Sequence, residues 1–201
     1  DATGEEPPFN LSASGYNDKM PMFSGGGKVV VWASGREGLR TADENAAQYD
    51  FYAAFLTREG YDSFQRARDP QAGAAPATPE ADGEAEEAPP AWQPQVSGLA
   101  QRTERLTPFS VTPLFCGVTG DGSALVLVVL EMPGRAVGYR IDLHTHALKQ
   151  LFVKPLTTAG YAMDPAGKTL FGIGPAGFER IDLASGQSSA VSFKAEMALD
   201  P

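Results

Sequence analysis

A motif repeated at a spacing of 40 residues constrains the fold of this chain more than any other feature. Residues 140–145 read RIDLHT and residues 180–185 read RIDLAS. Each copy follows a Gly-containing turn and an apolar run, and a third turn and run occupy residues 22–33. Short strands that repeat about every 40–45 residues are typical of four-stranded propeller blades. The sequence therefore predicts an all-β fold of about three antiparallel blades.

The alternation of side chains supports the strand assignment. In residues 139–143, apolar Tyr, Ile and Leu alternate with Arg and Asp, which is the period of a half-buried strand. The predicted strands are 21–24, 28–34, 49–56 and 102–108 in blade one, 113–118, 124–131, 137–143 and 148–154 in blade two, and 160–163, 169–173, 177–183 and 189–194 in blade three.

One segment differs from the repeats in composition. Residues 71–91 contain eight alanines, four prolines, five acidic residues and no basic residue. Such a stretch buries too little apolar surface to offset its ordering entropy, so we expect disorder. We assign an acidic linker to residues 69–96 and a short helix to residues 57–64, with Thr57 as its N-cap.

These assignments give one partial propeller over residues 1–201. Blade one takes residues 16–66 and 98–110 with the linker inserted, blade two takes 111–155, and blade three takes 156–197. Propellers typically need about 4–8 blades, so three leave an incomplete ring with unpaired sheet edges. We expect a longer chain to supply the missing blades; the alternative is a partner copy of this chain.

Charge and composition exclude several function classes. The net charge of −9 leaves no basic face for nucleic acid. The longest apolar run has seven residues, whereas a membrane helix needs about 20. A single cysteine excludes an internal disulfide or a cysteine-based zinc cluster. The chain starts at Asp1 without a methionine or signal-like stretch, so we expect a processed protein or part of a larger one.

We assign no catalytic, cofactor-binding or metal-binding residue. Ser188 and Ser189 fall in a predicted hairpin without a nearby base, and the nucleophile-elbow pattern Gly-x-Ser-x-Gly is absent. Cys116 with either histidine is conceivable as a dyad. A lone strand cysteine is more often a small buried apolar group, and we favour that interpretation.

Two short motifs also have a structural interpretation. His144 and His146 could chelate a metal from one strand face, but their position favours a solvent-exposed hairpin tip. Residues 172–177 spell Gly-x-Gly-x-x-Gly, yet a strand rather than a helix is expected to follow them, and Pro175 lacks an amide for phosphate. We therefore interpret that motif as a hairpin turn.

Aromatic residues are the remaining candidates for binding. Trp32, Tyr49, Phe51 and Tyr52 could line a channel that binds peptide. Their spacing is also that of residues packed between blades, which is the interpretation we favour. Lys28 lacks the following Ser or Thr of a P-loop, so the preceding glycines are expected to form a hairpin turn.

Several segments resemble a known family across nearly the whole chain. Residues 16–24 (YNDKMPMFS) and 27–38 (GKVVVWASGREG) resemble the TolB/tricorn type of propeller repeat. Residues 48–64 (QYDFYAAFLTREGYDSF) are similar to the bacterial tricorn protease homologues of Bacteroidetes type. Residues 105–108 (RLTP) and 191–197 (VSFKAEM) resemble the same proteins in the same order.

The resemblance implies the last part of a propeller that precedes a PDZ domain and a tail-specific serine protease core. It implies a periplasmic or cell-envelope parent that cleaves peptides or unfolded proteins, with this segment scaffolding and gating the substrate. The segment itself is not expected to be an enzyme or to hold a cofactor. The alternative is a free-standing interaction module that completes its ring by oligomerisation.

Overall fold

The computed structural model describes most of the chain outside the predicted linker. The described residues are 7–24, 26–41, 47–68, 93–120, 122–132, 134–156, 160–174 and 177–192. They form three four-stranded antiparallel sheets, one α-helix and one short 3₁₀ helix. The predicted all-β fold of four-stranded blades is confirmed. The predicted disorder of residues 71–91 lies outside the described residues.

Each sheet is built from strands that are consecutive along the chain. The first sheet contains β1 (Asp18–Ser24), β2 (Val29–Ser34), β3 (Asp50–Phe55) and β4 (Thr103–Arg105). The second contains β5 (Thr112–Val118), β6 (Ala124–Met132), β7 (Arg135–Asp142) and β8 (Leu148–Pro155). The third contains β9 (Ala162–Met163), β10 (Thr169–Gly174), β11 (Gly177–Asp182) and β12 (Ser188–Ala190). In every sheet each strand pairs with the next one along the chain.

Strand β6 is buried on both faces, which explains its uninterrupted apolar sequence. Leu125, Leu127 and Val129 pack in one core with residues of the first sheet. Val126 and Val128 pack in a second core with residues of the third sheet. Successive strand residues point to opposite faces, so a strand between two sheets needs apolar residues at every position. The second sheet is therefore the centre of the stack.

The helix α1 (Arg58–Arg68) begins where the sequence predicts but is longer. The backbone N–H of Gly60 donates to the Thr57 hydroxyl at 3.2 Å, which confirms Thr57 as the N-cap. The helix continues past the predicted end at residue 64, and Arg68 in its last turn makes two side-chain contacts. Its guanidinium lies over the Phe64 ring and 3.5 Å from the Glu104 carboxylate. Within the described ranges, no helix is long and apolar enough to cross a membrane.

The predicted strand at residues 102–108 is wrong in its bounds. Residues Leu99–Arg102 form a 3₁₀ helix, and β4 has only three residues. The buried Arg102 side chain fixes this turn, because its Nε donates to the Phe55 carbonyl and its Nη1 to the Ser97 carbonyl. These contacts join the chain after the insertion to the end of β3. Gln95, within the predicted linker, also donates its backbone N–H to Leu56.

Strand β1 starts three residues earlier than predicted and contains a bulge. Its pairing with β2 shifts register between Lys19 and Met22. Met20, inside the bulge, has φ of 55°, in the left-handed region that non-glycine residues rarely adopt. A bulge leaves one residue unpaired and turns the side chains that flank it. The bulge therefore determines which residues of β1 reach each face of the first sheet.

Candidate functional site: the outer face of the first sheet

The four aromatic residues singled out from the sequence lie on two different faces. Tyr49 and Phe51 are buried between the first and second sheets. Trp32 and Tyr52 lie on the opposite face of the first sheet, with Ala54 and Leu56. We call this second surface the outer face. Only Tyr49 and Phe51 therefore pack between neighbouring sheets.

The outer face is covered by short irregular segments. The rings of Trp32 and Tyr52 are stacked with centroids 5.9 Å apart and an interplanar angle of 26°. Leu99 from the 3₁₀ helix and Leu11 from the N-terminal segment pack on them. Trp32 is only 3% exposed as a result. We call the stacked Trp32 and Tyr52 side chains the aromatic platform; it is covered by Leu11 and Leu99.

Two clefts adjoin this platform, on either side of residues 9–12. The larger, of about 400 Å³, is lined in part by Arg36, Tyr52 and Ala100. The smaller, of about 260 Å³, is lined in part by Asp18 and Trp32. Arg36 stands beside the larger cleft because its Nη2 donates to the Ser12 carbonyl at 3.2 Å and its guanidinium lies over the Tyr52 ring.

One buried polar atom of this face, Trp32 Nε1, lacks a hydrogen-bond partner. Asp18 and Ser34 are opposite one another in the β1–β2 register, and Trp32 is two residues before Ser34 on the same side of β2. Buried polar groups are nearly always paired in folded proteins, so the unpaired indole N–H of Trp32 beside the Asp18 carboxylate points to a ligand position.

The Asp18 carboxylate is partly fixed by its surroundings. The Ser14 hydroxyl donates to Oδ2 at 2.8 Å. Burial raises the pKa of Asp18, but hydrogen bonds from Ser12, Ser34 and Ser14 and the charge of Arg36 lower it by more. The net pKa is below its ordinary value, so the carboxylate carries its negative charge at neutral pH.

Asp18, Ser34 and Arg36 were not among the residues singled out from the sequence. The spacing of Trp32 and Ser34 on a predicted strand does place them on one face. The position of Asp18 opposite Ser34 depends on the bulge at Met20, for which the sequence offers no turn residue such as glycine. The sequence therefore predicts the shared face of Trp32 and Ser34 but not the position of Asp18 beside them.

Cys116 lies in the core between the first and second sheets. It is 6% exposed, and its Sγ is 3.8 Å from Met22 Sδ. Burial raises the pKa of the thiol well above its ordinary value. A thiol held neutral is a poor nucleophile. This environment matches the expected small buried apolar group.

His144 and His146 lie in the turn between β7 and β8, where Thr145 and Ala147 are exposed but the two histidines are not the exposed tip that was expected. Both histidines are half-buried, and α1 packs against His144, with Phe64 and His144 ring centroids 5.7 Å apart. His144 Nδ1 and His146 Nε2 have no hydrogen-bond partner. Among the described residues, no group of three or more His, Cys, Asp or Glu side chains could hold a metal ion.

The glycine motif at residues 172–177 joins two antiparallel strands. Gly174 pairs with Gly177, whose φ is 112°, and strand β11 follows where a dinucleotide site would need a helix. Pro175 and Ala176 lie outside the described residues. Ser188 and Ser189 are exposed on β12, and the Ser189 hydroxyl accepts a hydrogen bond from Arg180 Nε at 2.9 Å.

Comparisons with known proteins add information on the fold. No protein-family model matches this sequence, and no curated protein matches it. TolB from Acinetobacter baumannii is similar in structure, with a TM-score of 0.55 and 15% identity over 95% of this chain and 36% of that chain. The tricorn protease also has a TM-score of 0.55, with 12% identity over 90% of this chain and 17% of that chain.

This chain thus spans well under half the length of either protein. At these identities the likeness concerns the fold alone. The three sheets, each with strands in consecutive order, agree with it. The chain has the fold of a segment of a TolB/tricorn-like β-propeller.

Proposed function

We propose that this chain is a non-catalytic propeller segment of a tricorn-like serine protease of the bacterial cell envelope. Its role is to scaffold the ring and to hold and gate extended peptide on the way to a protease core elsewhere in the parent protein. The blade limits given above, the periplasmic location, and the PDZ and protease domains as partners are parts of this proposal. Proteolysis belongs to the parent and not to this segment.

The observation that carries the proposal is the outer face with its two clefts. Trp32 and Tyr52 are stacked on a rigid sheet, and each of them borders one of the two clefts beside polar groups. Aromatic platforms with a few polar groups are suited to extended peptide, which presents apolar side chains and backbone amides together. The buried, neutral thiol of Cys116 offers no nucleophile for cleavage.

The test is binding without cleavage. A fluorescein-labelled unstructured peptide is titrated with the protein, and its anisotropy gives the affinity while mass spectrometry follows its length. We expect the peptide to bind and to remain intact. The variant Ala100→Trp fills the larger cleft from an exposed position and should weaken binding about tenfold.

The matched control is Ala147→Trp, the same change at an exposed turn next to β8 of the second sheet. It should leave peptide affinity unchanged. Equal binding by both variants, or no binding by the unmodified protein, contradicts the proposed peptide surface. Cleavage of the peptide by the purified chain contradicts the non-catalytic role.

Self-association is the second candidate, because the third sheet exposes apolar surface. Phe171, in the middle of β10, is 40% exposed on the face opposite the buried Leu170. As a free-standing module, the chain would close its ring by packing this face against another copy. Light scattering after size exclusion tests this: the module requires a defined multimer that Phe171→Lys dissociates, and a monomer refutes it.

A further inference from the structure

The smaller cleft is lined by a residue with an unpaired donor and by a carboxylate. Trp32 Nε1 is buried without a partner, and both Trp32 and Asp18 line the cleft. An indole N–H can only donate and a carboxylate can only accept. A ligand that satisfies both must therefore present a carbonyl-type acceptor and an N–H donor close together.

The charges around Asp18 indicate which kind of donor group the ligand carries. Among the described residues no Lys or Arg forms an ion pair with Asp18. The Lys19 and Arg36 side chains bond elsewhere: Lys19 Nζ lies 3.7 Å from the Tyr49 ring centroid, and Arg36 donates to the Ser12 carbonyl. A partly buried carboxylate without an ion pair is well matched by an ammonium group, since charge-assisted hydrogen bonds are the strongest.

The size of the cleft narrows the choice of ligand. Its volume of about 260 Å³ lies just below the range of about 300–1,000 Å³ that is usual for drug-sized ligands. Phe9, Leu11 and Val30 give it apolar walls. It is suited to the end of a chain, with one amino acid inside, rather than to a long segment that passes through.

We propose that this cleft captures the free amino terminus of an extended peptide. Asp18 Oδ1 accepts from the terminal ammonium, Trp32 Nε1 donates to the first carbonyl oxygen, and the first side chain contacts Phe9, Leu11 and Val30. The inference rests on the proposed function, because it specifies which part of the peptide the outer face recognises. It assigns the larger cleft, on the other side of residues 9–12, to later peptide residues.

The experiment uses the 201-residue chain with Trp92→Phe, which leaves Trp32 as the one tryptophan of this sequence. The probes are the hexapeptide Ala-Val-Thr-Ala-Val-Thr amide with a free amino terminus and the same peptide with an acetylated terminus. Binding is followed by the ¹H–¹⁵N signal of the Trp32 indole. We expect the free-amine peptide to shift this signal downfield and to bind about tenfold tighter than the acetylated peptide.

Two independent variants test the contacts. Trp32→Phe keeps an aromatic ring but removes the donor, and Asp18→Asn keeps the shape but removes the charge. Because Trp32→Phe has no indole signal, the variants are compared by the anisotropy of the free-amine peptide labelled with fluorescein at its carboxyl end. Each should weaken binding of this peptide about tenfold. The matched control Asp62→Asn removes the same charge from an exposed position of α1 and should have no effect. Circular dichroism checks that each variant is folded.

The outcomes separate this inference from the proposed function. Equal affinity for the free and acetylated peptides, or unchanged binding by folded Asp18→Asn, overturns capture of the amino terminus. The proposed function then still stands if Ala100→Trp weakens binding of the labelled peptide. If no peptide binds the unmodified protein at all, both fail.

Discussion

The Arg105 guanidinium donates two hydrogen bonds to one oxygen of the Asp50 carboxylate, from Nε at 3.1 Å and from Nη2 at 2.7 Å. Asp50 is fully buried, whereas the Arg105 side chain is 41% exposed. The Ser110 hydroxyl donates to the other oxygen at 2.8 Å. Asp50 begins β3 and Arg105 ends β4, so this group joins the strand before the insertion to the strand after it.

Replacing Asp50 with Ala should destabilise the first sheet. The change leaves Arg105 and Ser110 without their shared acceptor at a buried position. Loss of one partner of a fully buried ion pair costs about 3–5 kcal/mol, but the exposure of Arg105 reduces this. We expect the free energy of unfolding, measured by urea denaturation, to fall by about 2–3 kcal/mol.

Asp62→Ala is the matched control, since Asp62 is exposed on α1. Its effect should stay within about 0.5 kcal/mol. A loss for Asp50→Ala no larger than that of the control would show that the carboxylate does not hold β4 in place.

The parts of the fold that depend on local pattern were predictable. Strand β6 follows from its apolar run, and the turns before β6 and β10 follow from their glycines. Strand β4 was placed wrongly because Arg102 bonds to the Phe55 carbonyl, a contact across 47 positions that local periodicity does not encode. The placement of Asp18 beside Trp32 required the register of β1, which the bulge at Met20 sets. Strand patterns thus predict the sheets, while the candidate site depends on side chains brought together from different segments.

Gly167 tests the packing of the third sheet against the second. Its φ is 66°, and a Cβ atom there would lie 2.6 Å from backbone atoms of Thr119 and Gly120. Gly167→Ala therefore combines backbone strain with a clash between the turns before β10 and β6. We expect thermal denaturation to show a loss of about 2–4 kcal/mol.

Gly122 provides the matched control for that substitution. Its φ is 71°, but a Cβ atom there would have no atom within 4 Å. Gly122→Ala carries the backbone strain alone and should cost about 1–2 kcal/mol. Equal losses at the two positions would mean that the two turns are not in contact in solution.

His146 should make stability depend on pH. Burial lowers the pKa of His146, and the positive charge of Arg68 lowers it further, although Glu104 and Asp142 oppose this. The folded protein then binds fewer protons at this site than the unfolded chain. The contribution of His146 to the free energy of unfolding is complete above the ordinary pKa of 6.5 and decreases as the pH falls below that value.

We expect the free energy of unfolding to decrease between neutral and mildly acidic pH, and His146→Asn to reduce that decrease. Asn suits the left-handed backbone at this position, where φ is 58°. Aspartates with a lowered pKa, such as Asp18 and Asp142, change the free energy of unfolding only at lower pH, because their ordinary pKa is 3.8. A pH dependence that is identical in both proteins would show that His146 is not desolvated beneath α1.

Cys116 should react with a thiol reagent only when the protein opens. Burial keeps its thiol neutral, and neighbouring core residues from the first and second sheets cover it. In Ellman's assay at mildly alkaline pH we expect no modification of the native protein within minutes and one thiol per chain in concentrated guanidinium chloride. Ser189→Cys, on the exposed strand β12, is the control and should add a thiol that reacts at once.

Rapid reaction of Cys116 in the native protein would mean either that the first and second sheets separate readily or that the thiol is activated. The dependence of the reaction rate on pH distinguishes these two explanations. An activated thiolate would stay reactive below neutral pH, whereas a thiol exposed by opening would titrate with the ordinary pKa of a free cysteine.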